Sequence, residues 1–226
     1  MLGRAAVAMW WNVAPEMRDE FEHWHTHEHI PERLSIPGFL RGTRWSALDG
    51  SPSFFVLYEG ARLAVLTGKD YLARLNDPTP WSRKMMPHHL DMVRSLCRVQ
   101  ASAGGLIGGV LATVRFSPPP RGARAVGRWL AQEVLAPLAQ RRGIAGGCLL
   151  QAQPQAVAPR TTEQQIRGED GTADWVLLVS GYDAGVVEIV ADELRDALAA
   201  RNSKVNPARI LYAPAYSLAA RELDVH

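Results

Sequence analysis

The chain lacks the features of a disulfide scaffold, a membrane span or a surface for polyanions. Its 226 residues include two cysteines, Cys97 and Cys148, which fit no CxxC pattern and are interpreted as buried thiols of a cytoplasmic protein. Its 25 basic and 23 acidic residues leave a net charge of +2 without long charged runs, so neither nucleic acid nor a membrane is a predicted partner. The N-terminal apolar run is short, and we predict a strand there rather than a signal peptide.

Motifs for nucleotide binding and covalent acyl chemistry are also missing. The glycines of segment 104–109 precede a predicted strand, whereas a dinucleotide fingerprint follows a strand and opens a helix. No GxSxG nucleophile motif is present. The sequence therefore argues against a nucleotide-dependent enzyme and against a serine acyl-transferring enzyme.

What the chain does contain is a histidine-rich segment, and a scaffold that is repeated 105 residues later without those histidines. Four of the seven histidines lie within 23–29, beside Glu28 and Glu32. The repeat aligns Trp24, Glu28, Gly38 and Phe39 with Trp129, Glu133, Gly143 and Ile144, and it aligns His25, His27 and His29 with Leu130, Gln132 and Val134. We therefore predict a duplicated fold with titratable chemistry in one copy.

Apolar periodicity and turn residues predict the same order of elements, β-α-β-β-α-β, in both halves. Pro31 is predicted to kink or end the first helix near His29. In the second half, the polar insert 153–174 lengthens the hairpin, and Thr161 is predicted to cap one short helix in it. The predicted elements are strands 5–12, 39–48, 54–58, 91–101, 109–116, 144–151, 175–181 and 209–218, and helices 16–33, 61–75, 123–141 and 186–200.

This order is that of a ferredoxin-like unit, whose single sheet is covered by helices on one face only. Two such units can bury their bare sheet faces against each other. The predicted fold is therefore α+β: tandem ferredoxin-like repeats, residues 1–103 and 104–226, with a linker at 101–105, packed as a pseudo-dimeric α/β barrel. A homodimer of pseudo-dimers is compatible with this arrangement but not required by it.

The repeat and its motifs resemble the EthD-like branch of the dimeric α/β-barrel superfamily over nearly the whole chain. The motifs are Trp24, Glu28-His29, Pro31-Glu32-Arg33, Pro37-Gly38-Phe39 and Pro78-Thr79-Pro80-Trp81. The resemblance implies a cleft between sheet and helices in each half, lined in the first half by Glu28, His29, Glu32, Arg33, Trp81, His88 and His89. In the second half Val134 and Leu138 replace His29 and Arg33, so we expect that cleft to be structural.

The candidate chemistry centres on His29, because an imidazole changes charge near neutral pH. Glu28 or Glu32 would orient it, and Arg33 would stabilise an oxyanion, although internal pairing of Arg33 with these glutamates is slightly favoured. The alternative is a purely structural role, in which His29 only forms a hydrogen bond with a loop carbonyl. The predicted site comprises catalytic His29, Glu28, Glu32, Arg33 and His88, and substrate-binding Trp81, Tyr58, Tyr71, Trp11 and His89.

No metal or cofactor is predicted. His25 and His29 are four residues apart and could share a metal ion with Glu32, but Pro31 disturbs the helix and no HExxH motif frames the pair. His23 and His27 are expected in solvent.

The predicted function is a cofactor-independent lyase, isomerase or cyclase acting on a small aromatic or polyketide-like substrate by histidine-mediated proton transfer. Two alternatives stay open. One is a cofactor-free or haem-assisted oxygenase, with His29 or His88 as the iron ligand. The other is a non-catalytic ligand-binding or assembly module.

Overall fold

The computed structural model of the chain describes residues 1–51, 53–154 and 160–223. Its first half has the predicted order of elements, and the predicted hairpin loop 49–52 includes Pro52, which lies outside the described residues. The helices are α1 (Arg18–Trp24), α2 (Ile30–Leu34), α3 (Leu63–Leu66), α4 (Lys69–Asn76) and α5 (Pro80–Met85). The strands are β1 (Ala5–Val13), β2 (Phe39–Ala47), β3 (Ser53–Gly60) and β4 (His89–Gly104).

The first long helix was predicted to kink or end near His29. It does not end there but continues to Leu34, and it is irregular just before Pro31. Between α1 and α2 the backbone forms a π-helical turn, His25–His29, in which the N–H of Ile30 donates to the carbonyl of His25. Pro31 lies in the first turn of α2 and donates no backbone hydrogen bond. The helix therefore carries His25 and His29 onto its buried face.

The second half has the same order of elements as the first, and its first long helix also contains a π-helical turn. Its first long helix consists of α6 (Ala123–Trp129), the π-helical turn Leu130–Val134 and α7 (Leu135–Leu138). The remaining helices are α8 (Thr162–Arg167) and α9 (Ala184–Ala199), and the strands are β5 (Val110–Ser117), β6 (Ile144–Ala152), β7 (Trp175–Gly181), β8 (Lys204–Val205) and β9 (Leu211–Ala219).

The strands form one closed antiparallel barrel. The first half supplies β4-β1-β3-β2, and the second supplies β6-β7-β5-β9. The two sheets join where β4 pairs with β6 and β2 pairs with β9. Each half therefore contributes its last strand to the edge of the other sheet, which confirms the predicted pseudo-dimeric α/β barrel of two ferredoxin-like units.

Alternation along the strands separates the barrel interior from the two helix-covered faces. In β1, Ala6, Ala8 and Trp10 point into the barrel, where they pack with apolar side chains of both halves. The intervening Met9 and Trp11 face the helices of the first half. Because side chains fill the barrel interior, the space available for a site lies between the first sheet and its helices.

The predicted linker differs from the sequence prediction, whereas the polar insert agrees with it. Residues 101–104, predicted as part of a linker, extend β4 and pair with β6, because closing the barrel requires strands that cross from one half to the other. The polar insert forms the predicted short helix, α8, whose Thr161 and Gln164 make a capping box. Residues 155–159 of the insert lie outside the described residues. Among the residues described, no helix is long and apolar enough to cross a bilayer.

Candidate functional site

A small enclosed cavity of about 30 Å³ lies between the sheet and the helices of the first half. A space of this size holds one or two water molecules. Three histidines, three arginines and two tyrosines face it. The lining residues are Met9, Trp11, His25, His29, Arg33, Tyr58, Tyr71, Leu75, Met86, His89, Met92, Arg94, Glu163 and Arg167.

The three histidines reach the cavity from two elements. The π-helical turn presents His25 and His29, whose rings are 5.4 Å apart, and the start of β4 presents His89. His29 packs on the Trp24 ring at 4.4 Å between centroids, and His89 packs on Trp11 at 5.2 Å. Within the described residues neither ring nitrogen of His89, nor Nδ1 of His29, has a hydrogen-bond partner.

All three imidazoles are neutral at pH 7. Burial disfavours the imidazolium, and it lowers the pKa of His29 and of His25 well below the usual value, with the cations of Arg33 and Arg44 acting in the same direction. Burial lowers the pKa of His89 to about 3. The site therefore holds three proton acceptors in their unprotonated form.

Arg33 joins the cavity to a helix of the other half. Its guanidinium is buried, forms an ion pair with Glu163 of α8, and approaches Oε2 of Glu32 at 3.4 Å. Burial is the largest single effect and opposes this positive charge, but Glu163, Tyr71, Glu32 and Tyr58 together outweigh it and raise the pKa of Arg33. The pairing that the sequence favoured for Arg33 is thus present, but its principal partner is Glu163 rather than Glu28.

Helix α8 covers the cavity. Its N–H at Thr162 donates to Oδ1 of Asn76, and the Thr162 hydroxyl donates to the Asn76 carbonyl, which fastens α8 to the end of α4. At its other end Arg167 bonds both oxygens of Asp170, at 3.0 and 2.8 Å. The insert from the second half therefore closes the cavity of the first.

The two predicted tyrosines line the cavity as polar groups. The Tyr58 hydroxyl is 3.5 Å from Nε2 of His25, and burial raises its pKa, so that the phenol remains protonated. The Tyr71 hydroxyl accepts a hydrogen bond from Nη2 of the buried Arg94 at 3.1 Å. Either phenol can donate to an oxygen atom of a bound molecule.

Six of the ten predicted site residues line the cavity: His29, Arg33, Tyr58, Tyr71, Trp11 and His89. A seventh, Glu32, stands beside two of them. Its Oε2 is 3.9 Å from Nδ1 of His29, too long for a hydrogen bond, and burial raises its pKa. Glu32 therefore lies beside His29 without a hydrogen bond to it.

The other three predicted site residues lie away from the described cavity. Glu28 faces the outer side of the helix, where Oε1 accepts from Trp24 Nε1 at 3.0 Å and from Thr79 Oγ1 at 2.6 Å. Trp81, expected as a pocket wall, donates through Nε1 to Glu20 at 3.2 Å. His88 is half-buried at the end of a 3₁₀ turn, Met86–His88. The helical spacing 28–29 separates their side chains by about 100°, so Glu28 cannot share the buried face of His29.

Sequence reasoning missed several cavity residues. His25 was considered only as a metal ligand, although its spacing of four from His29 places both on one helical face. Arg94 lies within a predicted strand and carries no motif. Glu163 and Arg167 belong to the insert of the other half, and no local pattern indicates that it folds over the first half.

The corresponding space in the second half is filled with aliphatic side chains. Leu130 and Leu138, the counterparts of His25 and Arg33, are buried in a continuous apolar core. Glu133 is exposed. This agrees with the expectation that the second cleft is structural. Among the described residues, no group of three His, Cys, Asp or Glu side chains is placed to hold a metal ion.

No protein-family model matches the chain, and no curated protein matches it. Solved structures do. A protein named as anthrone oxidase-like matches with a TM-score of 0.64 at 15% identity, over 97% of this chain and 94% of that one. A candidate monooxygenase of Fusobacterium nucleatum matches with a TM-score of 0.59 at 8% identity, over 97% of this chain and 96% of that one. A heme-binding protein of Thermus thermophilus matches with a TM-score of 0.51 at 11% identity, over 99% of this chain and 94% of that one.

At these identities the likeness concerns the fold. It supports the dimeric α/β-barrel architecture, which these monooxygenase-like proteins share, and it does not single out the EthD-like branch within that superfamily. The chain therefore has the dimeric α/β-barrel fold, built from two halves of one chain, with one polar and one apolar cleft.

Proposed function

We propose that the chain is a cofactor-independent oxygenase that removes a proton from a small aromatic ketone or phenol and lets the resulting anion react with dioxygen. The observation that carries this proposal is the convergence of neutral His25, His29 and His89 on one enclosed cavity beside the fixed cation of Arg33. A base and a cation together favour an enolate or phenolate over its neutral parent.

His29 is the proposed base. Its neutral imidazole can take a proton, and the imidazolium that results would lie beside the Glu32 carboxylate, 3.9 Å away, and beside the newly formed substrate anion. Both charges offset the unfavourable burial that keeps His29 neutral in the free enzyme. Arg33 and the protonated Tyr58 would stabilise the developing oxyanion.

The oxidation balances without a cofactor. The carbanion formed at an activated CH₂ group adds to dioxygen, and the peroxide takes the proton from the imidazolium. Loss of water then converts the CH₂ group into a carbonyl, so that one O₂ is consumed and one H₂O is released. The aromatic rings of Trp11, Tyr58 and Tyr71, which line the cavity, suit such a substrate.

The fold likeness to an anthrone oxidase-like protein and to candidate monooxygenases supports dioxygen as the co-substrate. The lyase, isomerase or cyclase predicted from the sequence would use the same proton transfer without oxygen. The cavity of about 30 Å³ is smaller than haem and smaller than any aromatic substrate, so the site has to open before either molecule binds. The proposal therefore includes a displacement of α8, the helix that covers the cavity.

The test is oxygen uptake with anthrone as the probe, corrected for its autoxidation. We expect uptake above the uncatalysed rate, formation of one quinone per O₂, and loss of at least tenfold in His29→Val, which installs the residue of the second half. His27→Ala, at an exposed position of the same helix, serves as the control and should retain the rate.

Other outcomes identify the alternatives. Exchange of solvent deuterium into the substrate without oxygen uptake would replace the oxygenase with a proton-transferring isomerase or lyase. A Soret band on addition of haem would favour the haem-assisted alternative. If neither exchange nor uptake occurs in the wild type, the cavity is not the site of this chemistry.

A further inference from the structure

We infer that the substrate of this site carries an anionic group, a carboxylate or an ionised phenol, and that Arg94 and Tyr71 bind it. This inference deepens the proposed function and rests on it for the identity of the site as a substrate site. It concerns residues that the proton-transfer chemistry does not use. The evidence lies in how the three arginines of the cavity are paired.

Two of these arginines have carboxylate partners. Arg33 pairs with Glu163 and Glu32, and Arg167 bonds both oxygens of Asp170. Arg94 differs. Among the described residues, no carboxylate oxygen lies within 4.0 Å of its guanidinium, and its one side-chain hydrogen bond goes to the neutral hydroxyl of Tyr71.

The burial of Arg94 makes this arrangement unusual. Its residue is 6% exposed, and arginines are almost never so buried without an anionic partner, because removing the guanidinium from water is costly. Burial opposes the charge of Arg94, while Tyr71 and, from beyond ion-pair distance, Asp170 and Glu163 raise its pKa. Both carboxylates make their close contacts with other arginines, Arg167 and Arg33. A positive charge is therefore left at the cavity wall for a ligand.

Tyr71 supplies a second donor at the same place. Its oxygen accepts from Arg94, which leaves the hydroxyl proton free to donate, and no acceptor for it is found in the part of the chain described. The guanidinium carbons of Arg94 and Arg33 lie 6.0 and 5.9 Å from the centre of the Tyr71 ring. Two cations thus lie close to the ring of Tyr71 at the cavity edge.

The different partners of Arg33 and Arg94 indicate two different roles for these arginines in one site, proton transfer and anion binding. The guanidinium of Arg33 lies beside Glu32, next to the proposed base His29, whereas Arg94 and Tyr71 reach the cavity from β4 and α4. The Tyr71 ring is close to both guanidinium groups. An aromatic acid could place its carboxylate against Arg94 and its acidic carbon or hydroxyl near His29. Arg94 is therefore a specificity-determining residue rather than a proton-transfer residue.

The experiment compares benzoate with benzamide, which has the same shape without the charge, as ligands of the full-length protein by isothermal titration calorimetry. We expect benzoate to bind at least tenfold more tightly. Arg94→Met should abolish this preference, and Arg94→Lys should retain part of it. The matched control is Arg98→Met, since Arg98 is an exposed arginine on the same strand that bonds Gln153.

Each outcome has one meaning. Equal binding of the two probes by the wild type, or no binding of benzoate at about 10 mM, would overturn the inference, and so would an unchanged preference in a folded Arg94→Met. Because the wild-type comparison needs no variant, a misfolded Arg94→Met does not remove the test. Oxygen uptake without a benzoate preference would leave the proposed function standing, and a benzoate preference without uptake would leave the anion site standing.

Discussion

The two halves of the barrel have the same backbone features but bury different kinds of side chain at equivalent positions. Each has a π-helical turn in its first long helix, His25–His29 or Leu130–Val134, followed by a glycine with positive φ, 96° at Gly38 and 90° at Gly143. The first half buries histidines and an arginine on this frame, whereas the second buries leucines.

This comparison shows that the frame does not require the polar residues. A π-helical turn is often associated with a functional site, but here it recurs in a half whose space is filled by apolar side chains. Burying imidazoles and guanidinium groups is unfavourable unless they are paired, and the second half shows that the same frame can be filled without them. The polar cavity therefore needs an explanation other than folding, and ligand chemistry supplies one.

The largest expected loss of stability comes from replacing Arg33 of the first half by the leucine found at the equivalent position of the second half. Arg33→Leu installs the counterpart Leu138 and leaves the Glu163 carboxylate buried without its main partner. Breaking a buried ion pair from one side costs about 3 to 5 kcal/mol. We expect a loss of this size in the free energy of unfolding, measured with urea.

The double variant Arg33→Leu/Glu163→Gln is the control, because it removes both charges. We expect it to recover most of the lost stability. If the single and double variants are equally unstable, the cost lies in packing at position 33 and not in the unpaired carboxylate, and the ion pair between the halves is energetically minor.

The shared glycines should be equally intolerant of a side chain. A Cβ atom would lie 2.5 Å from Val65 Cγ2 at Gly38, and 2.8 Å from Val186 Cβ at Gly143. Positive φ adds backbone strain to these contacts, so Gly38→Ala and Gly143→Ala should each cost about 2 to 3 kcal/mol in urea unfolding.

Gly50→Ala separates the two causes. Gly50 also has positive φ, 76°, but a Cβ there would meet nothing within 4 Å. We expect this control to cost about 1 kcal/mol, from strain alone. A large cost at Gly38 with none at Gly143 would mean that the two turns are not equivalent despite their common geometry.

The buried histidines should make the protein sensitive to acid. The pKa of His89 is about 3 in the folded protein and near 6.5 when unfolded, so between these values the unfolded chain binds the extra proton and stability falls as the pH falls. From pH 6.5 to 5 the loss from this group approaches about 2 kcal/mol.

His89→Phe tests this contribution, since phenylalanine fills the same aromatic surroundings without a titrating nitrogen. We expect the free energy of unfolding of this variant to fall less than that of the wild type between pH 6.5 and 5. Above pH 7 its free energy of unfolding should not depend on pH. A variant with the wild-type slope would show that His89 is protonated in the folded state, and the neutral-base assignment would weaken.

The barrel was predictable because its determinants are local or repeated. Turn residues such as Pro37-Gly38 act over short stretches, and the 105-residue offset repeats the same elements in both halves. Each predicted sheet had one face without helices, and packing the two faces together was the arrangement that buried both. At Pro31 a kink or an end of the helix was predicted. The helix continues because a π-helical turn, which carries no sequence signal of its own, precedes the proline.

The cavity was predictable in part, and only for residues of the first half. Trp11, Tyr58, Tyr71 and His89 were predicted on other elements, and they line the cavity with two residues of the first helix. His29 and Arg33 were found because they stand near each other in the sequence. Arg94, Glu163 and Arg167 were not, because they reach the cavity from a strand and from the insert of the other half. The neighbouring Glu28 misled the sequence analysis, since adjacent residues on a helix face different directions.

Glu28 and Glu133 make the sharpest small comparison, because they occupy equivalent positions with different surroundings. Glu28 accepts hydrogen bonds from Trp24, Thr79 and Ser82 and so ties the first helix to α5, whereas Glu133 is exposed. Hydrogen bonds to a half-buried carboxylate are expected to stabilise by about 1 kcal/mol in total, so Glu28→Ala should lower the unfolding free energy by that amount and Glu133→Ala by less than about 0.5 kcal/mol. Equal effects would mean that the Glu28 contacts contribute no more than a solvated helix position. A much larger loss of activity than of stability in Glu28→Ala would return Glu28 to the catalytic role that its place on the outer face of the helix argues against.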